Sequence, residues 1–233
     1  MSRLSIVGGR KGGLTLLALV AAAIGLVLVV VAVSAQRSAP QPPRSVGSID
    51  PAAGSPSASA PPEVTAARTK PLGASRPVSI SIPSIKVRSA ILPIGLAPDG
   101  TLAVPQPGPN LDKAAWFKNS PTPGQPGPSI IEGHVDSDRG PSVFFRLGSL
   151  RPGDTIRVTR ADGVVATFTV NAVRDYKKSK FPTDVVYGGK DLSRPQLRLI
   201  TCSDFDASIR HHVGNEVVFA HLTSTQRPQA GKG

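Results

Sequence analysis

The 233-residue chain contains one cysteine, Cys202. That excludes an intrachain disulfide framework and any cysteine-cluster metal site, and leaves a buried structural thiol or a nucleophile. Aromatic residues make up 4%, while prolines number 24 and glycines 23, a balance that favours turns and short strands over long helices. The net charge is +12. Residues 1–76 hold 8 Lys/Arg against 2 acids, flanking an apolar segment, and residues 77–233 hold 19 against 13, interspersed. No Lys/Arg run is interleaved with aromatics, so nucleic acid is not an expected partner. Ligand spacings such as CxxC and HExxH are missing, and no close acid cluster suggests calcium; neither a metal nor a cofactor is expected.

One stretch lacks charge altogether. Leu14 to Val33 is a run of 20 uncharged residues, which as a helix spans about 30 Å, the thickness of a bilayer hydrocarbon core. Arg3, Arg10 and Lys11 precede it and only Arg37 follows closely. The positive-inside bias then places residues 1–13 in the cytoplasm, 14–33 across the membrane as a single-pass anchor, and the bulk of the chain outside. A cleaved signal peptide is the competing reading, since Val33-Ser34-Ala35 resembles a small-residue cleavage site. Either way the domain is exported. Residues 34–76 are rich in Pro, Ala and Ser and almost lack large apolar side chains, so they are expected to form a disordered linker holding the domain near the membrane.

From Pro77 the texture changes. Val78, Ile80 and Ile82 alternate with serines, the period of a half-buried strand. Further strands are expected at Val87 to Ile94, Thr101 to Val104, Ser129 to Asp136, Thr155 to Thr159, Val164 to Val173, Leu197 to Cys202 and Glu216 to Leu222. Asn110 to Phe117 reads as one or two helical turns, with Asn110 as cap. Ala161-Asp162-Gly163 is a hairpin turn. Eight strands within residues 77–222 and no long helical pattern predict an all-β domain, a closed or nearly closed β-barrel with short helices. Residues 223–233 are expected to be a flexible tail.

Alternation puts Arg198, Ile200 and Cys202 on one face of their strand, and Ile130, Glu132 and His134 on one face of theirs. Cys202 sits where a strand gives way to a polar turn, a position suited to a reactive side chain; an inert buried thiol is the alternative. A thiol needs a base or cation nearby to react at neutral pH. Among the four histidines His134 lies at a strand end in GHVDS, His211 and His212 lie in the turn with Arg210, and His221 reads as a barrel-wall residue. An acyl-transfer site also needs an oxyanion donor. Arg198 is four residues from Cys202, about 13 Å along a strand, whereas Arg210 returns toward Cys202 if Ser203 to Ile209 forms a loop.

Together LRLITC ending in Thr201-Cys202, GHVDS with His134, the closing NEVVFAHL and the N-terminal apolar segment with its proline-rich tether resemble a sortase, an exported cysteine transpeptidase of Gram-positive bacteria, and most of all the actinobacterial class F. The resemblance covers about Val78 to Leu222. It implies an eight-stranded sortase β-barrel with Cys202 as nucleophile, His134 as acid and base, and Arg210 as oxyanion donor, although alignment on the closing strand puts Val213 where some relatives carry Arg. The implied reaction is attack by Cys202 on the Thr-Gly carbonyl of an LPxTG-like sorting signal on a surface protein. Transfer to an amine of a peptidoglycan precursor or of another protein follows. Two alternatives are an exported cysteine peptidase that mainly hydrolyses and a non-catalytic wall-binding β-domain.

Overall fold

The structure is a computed structural model that describes residues 39–40, 46–47, 49, 69–189 and 191–227. The expected membrane segment 14–33, residues 1–13 and most of the expected linker 34–76 lie outside the described residues. Among the described residues no helix is long and apolar enough to cross a membrane.

Eight strands close on themselves. They are β1 (Pro77–Ile82), β2 (Val87–Ile94), β3 (Ala114–Phe117), β4 (Gly127–Glu132), β5 (Thr155–Arg160), β6 (Val165–Lys177), β7 (Pro195–Asp206) and β8 (His211–Gln226). The spatial order is β1, β2, β3, β4, β7, β8, β6, β5, and β5 pairs back onto β1. Two pairings are parallel, β2 with β3 and β4 with β7; the others are antiparallel. Closure leaves no long open sheet edge. A two-residue strand, Val46–Gly47, pairs with β6 at Val173 and Ala172.

Most of these strands follow the sequence pattern. In β1 the side chains of Ile80 and Ile82 are buried, but Val78 is exposed, beside a register shift between Pro77 and Ser79 that breaks the alternation. The β5–β6 hairpin closes around Ala161-Asp162-Gly163 as expected, with Gly163 at φ 78° and the Arg160 N–H bonded to the Val164 carbonyl at 2.9 Å.

The third strand is a correction. Thr101 to Val104 makes only an isolated bridge, Leu96 to Leu102, inside the β2–β3 connection. The strand is instead Ala114–Phe117, which the sequence suggested as a helical turn. It lies between β2 and β4, where Ala114, Ala115 and Trp116 are buried. Tertiary pairing of an apolar segment outweighs the helix propensity of two alanines.

Two apolar layers follow from the pleat. Inside the barrel Ile131, Phe144, Phe168, Leu197, Leu199 and Val218 are fully buried. Each such side chain contributes on the order of 1.5–3 kcal/mol. The outer face of β4, β7, β8 and β6 carries a second cluster of Ile130, Ala172, Ile200, Val217 and Phe219. The β6–β7 connection covers it with a short helical segment, Asp184–Gly188, that contributes the buried Val186.

Contacts with the barrel begin before Pro77. The Leu72 N–H bonds to the Gly124 carbonyl at 2.8 Å, and the buried Arg160 guanidinium bonds to the Gly73 carbonyl at 2.7 Å. At the other end β8 runs on to Gln226, paired with Val165 of β6.

Candidate active site

The parallel pair β4–β7 builds the site. Ile130 lies beside Arg198 and Glu132 beside Ile200, so the parallel ladder ends with Gly133-His134 next to Thr201-Cys202, while β7 runs on past it. The Gly133 N–H bonds to the Ile200 carbonyl at 3.1 Å, and the buried Thr201 hydroxyl bonds to the Gly133 carbonyl at 2.8 Å. The residues immediately before His134 and Cys202 are thus joined directly. Cys202 is a free, half-buried thiol on the outer face.

The glycine before His134 is required by packing. A Cβ on Gly133 would lie 2.6 Å from Val143 Cγ1 and 2.8 Å from Cδ2 of the fully buried Phe144. The Phe144 N–H in turn bonds to the His134 carbonyl at 3.0 Å. His134 Nε2 lies 2.8 Å from the Pro105 carbonyl of the β2–β3 connection. A carbonyl only accepts, so Nε2 carries the proton and Nδ1 is the nitrogen left to exchange one.

Asp136 does not touch His134 in the contacts seen here. Its Oδ1 lies 3.0 Å from Nε2 of His212, whose ring packs edge-on against Phe205 at 5.2 Å between centroids. This pair ties the β7–β8 hairpin to the segment that follows His134. His221 is a half-buried wall residue bonded to Asn171, and burial pushes its imidazole below the usual range.

Arg210 stands elsewhere. Residues 203–206 continue as strand rather than looping back, with Asp206 beside His211, and Arg210 occupies the exposed hairpin tip at φ 52°. The cross-strand partner of Cys202 is Asn215. Arg210 is five residues from it, roughly 16 Å at strand spacing. The structure therefore brings His134 and Cys202 together and leaves Arg210 apart. Arg198 shares the Cys202 face but is buried over the Phe219 ring, 4.6 Å from its centroid, with its Nη atoms on Gln196 and the Leu197 carbonyl. Burial lowers its guanidinium to about 10.

Two buried acids lie close by. Glu132, on the outer face, is pushed up to about 8 by burial alone. Glu216 lies beside Thr201 and Asp175 and is also pushed up to about 8, chiefly by burial and further by Asp175. Burial raises Asp175 as well, against a hydrogen bond from Ser203 and with added repulsion from Asp204. Among the described residues no group of three or more His, Cys, Asp or Glu side chains is placed to hold a metal ion.

Sequence reasoning assigned no part to Asn215 or Glu132. Asn215 becomes a neighbour of Cys202 only through hairpin register, which the sequence leaves open. Glu132 had a visible signal, a lone charge closing the otherwise uncharged strand GPSIIE.

The sortase domain model matches residues 80–223. The chain belongs to the sortase family. As a sortase it is a cysteine transpeptidase acting on sorting signals. Among solved structures, sortase A from Corynebacterium diphtheriae is 23% identical with a TM-score of 0.50, covering 66% of this chain and 64% of that one. Listeria monocytogenes sortase A is 18% identical at 0.49, covering 68% and 93%. Sortase C-1 from Actinomyces oris is 22% identical at 0.49, covering 63% and 73%. A search of curated proteins returned no match. The barrel of this sortase is thus the family's fold, with the His134 segment and the Cys202 strand held at one end of it.

Proposed function

We propose that this sortase cleaves an LPxTG-like sorting signal through Cys202 and transfers the acyl group to an amine. The observation that carries the reading is the Thr201–Gly133 hydrogen bond at 2.8 Å, which holds Cys202 and His134 next to each other. The chain has no other cysteine. In the first step the Cys202 sulfur attacks the carbonyl carbon of the Thr-Gly bond as its proton passes to Nδ1 of His134, and the carbonyl π pair moves onto oxygen. The carbonyl then re-forms, the C–N bond breaks, and His134 gives the Nδ1 proton to the departing amine, leaving a thioacyl enzyme. An incoming amine then attacks the thioester and loses a proton to His134, and Cys202 departs.

The oxyanion needs donors at Cys202. Asn215 stands across the strand from it with the same face outward. Arg210, which the family resemblance implies for this role, joins it when the hairpin tip folds over a bound peptide. Phe205 and Ile209 on that tip are 59% and 62% exposed, apolar surface that such closure would bury.

The acceptor is an amine of a peptidoglycan precursor or of another protein, and the donor is a surface protein with a C-terminal sorting signal. Residues 14–33 anchor the enzyme as a single-pass membrane protein with the N-terminus cytoplasmic, on the charge pattern around that segment. The GHVDS and NEVVFAHL stretches support the reading as a class F enzyme.

Mass spectrometry of the protein with LPxTG-like peptides and diamine acceptors tests the chemistry. A Cys202 thioacyl adduct and an amine-ligated product are expected. Hydrolysis without ligation would make it a peptidase, and no adduct with any peptide would remove the LPxTG reading. Protease accessibility on intact cells tests the topology: digestion of the barrel only after lysis would refute an extracellular domain.

A further inference from the structure

Glu132 is an acid without an evident use in the fold. It is 5% exposed, and its Oε1 is fully buried with no hydrogen-bond partner. It lies on the outer face, since Ile131 beside it faces the filled barrel interior. Ile200 is its neighbour across the β4–β7 pair. Glu132 therefore stands two residues behind both His134 and Cys202, about 6.6 Å along the strands.

A peptide whose scissile carbonyl reaches Cys202 lies on this face rather than along a sheet edge. Both strands beneath it are already paired on both sides, β4 with β3 and β7, β7 with β4 and β8. Their backbone groups are engaged in the ladders, so side chains must hold the peptide's own backbone. The floor offers few donors. Ile130, Ile200 and Val217 are apolar; the Nη atoms of Arg198 are engaged by Gln196 and the Leu197 carbonyl, and its Nε, buried without a partner, lies four residues back from Cys202. A carboxylic acid retains one O–H donor when un-ionised.

We propose that the Glu132 carboxyl is a substrate-binding group that donates a hydrogen bond to a backbone carbonyl of the sorting peptide, two residues from the scissile bond. The proposal rests on the sorting-signal reading above. Its protonation state fits: burial pushes the group up to about 8, so it is mostly an acid at neutral pH. The titratable groups around it are His134 and Cys202 ahead of it on the same face, Arg198 behind it on β7, and Asp184 and Tyr187 on the covering segment, where Glu132 itself helps to raise the Tyr187 phenol. Among the described residues no salt bridge to Glu132 is made, so nothing there fixes a carboxylate.

The test is steady-state cleavage of an LPxTG-like peptide by the full chain and by Glu132→Gln and Glu132→Leu, from about pH 6 to about pH 9.5, with thermal melting of each. Glutamine keeps an N–H donor at every pH. The variants differ from the wild type at this one side chain, so the ratio of wild type to Glu132→Gln isolates the acid. We expect the wild-type KM to rise relative to Glu132→Gln by up to ~10-fold per pH unit above the Glu132 pKa. At neutral pH Glu132→Gln should stay within a few-fold of wild type. Glu132→Leu should raise KM roughly 5- to 30-fold with kcat nearly unchanged, while melting higher, because it removes a buried polar group that has no partner. If the wild type turns over and Glu132→Leu keeps its KM, or Glu132→Gln follows the wild-type pH profile, the Glu132 inference falls and the proposed function stands. If the wild type acylates with no sorting peptide, both fall.

Discussion

Thr201→Val isolates the contact that joins the two halves of the site. Valine nearly reproduces the shape of threonine, and Thr201 is 4% exposed, so the substitution opens no cavity. What it removes is the 2.8 Å hydrogen bond to the Gly133 carbonyl. A lost hydrogen bond costs about 1 kcal/mol, and an acceptor left unsatisfied in the interior raises that to ~1–3 kcal/mol. For a domain of this size each kcal/mol lowers Tm by ~2–4 °C, so a fall of roughly 2–12 °C is expected. The effect on turnover should be larger than the effect on stability. The Gly133 N–H to Ile200 bond remains, so the strands stay paired, but the segment carrying His134 loses its second tether to the strand carrying Cys202. A displacement of ~1 Å at reacting groups can cost about 100-fold in rate. Calorimetry and kcat for peptide cleavage, measured on the same preparation, give both numbers. A Thr201→Val enzyme that melts several degrees lower but keeps wild-type kcat would refute the claim that this bond aligns the two residues.

Other perturbations separate the remaining parts. Gly133→Ala drives a methyl group into Val143 and Phe144; overpacking of this kind costs about 1–3 kcal/mol, and cleavage should fall with it, whereas a wild-type Tm would show that the packing yields. Asn215→Ala should lower kcat by ~10²-fold or more with KM little changed, the signature of a lost oxyanion donor. Arg210→Ala should lower kcat by at least about 10-fold, and an unaffected Arg210→Lys enzyme would argue against a specific guanidinium contact. Glu216 carries a pH signature in stability. Its carboxyl is raised from 4.5 to about 8 in the fold, so between those values the folded state holds a proton that the unfolded state has released. Stability should decline as pH rises through that window, by up to about 1.4 kcal/mol per unit from this group, and level off above it. Melting curves of wild type and Glu216→Gln from about pH 5 to pH 9 should converge at the acid end and separate at the alkaline end; a wild-type Tm that climbs over this range contradicts the assignment.

Local chemistry made much of this protein readable before its fold was known. The alternation of Ile80 and Ile82, the Ala161-Asp162-Gly163 turn and the apolar runs of β7 and β8 depend on period and turn residues, and each stands where the pattern placed it. Cys202 and His134 were visible because each lies at the end of a patterned run and carries chemistry that few side chains share. Ala114–Phe117 was misread because a four-residue apolar segment has no period of its own; its partners β2 and β4, distant in sequence, decide that it is a strand. The β7–β8 register was equally out of reach. Ser203 to Asp206 look like a polar loop until β8 pairs with them, and that pairing puts Asn215 across from Cys202 and carries Arg210 to the hairpin tip. Likewise the strand pattern set Glu132 on the face of His134, but only the packed outer layer made it a buried acid without a partner. Side-chain identity and spacing act over a few residues, whereas proximity and desolvation arise from strands that meet only when the barrel closes.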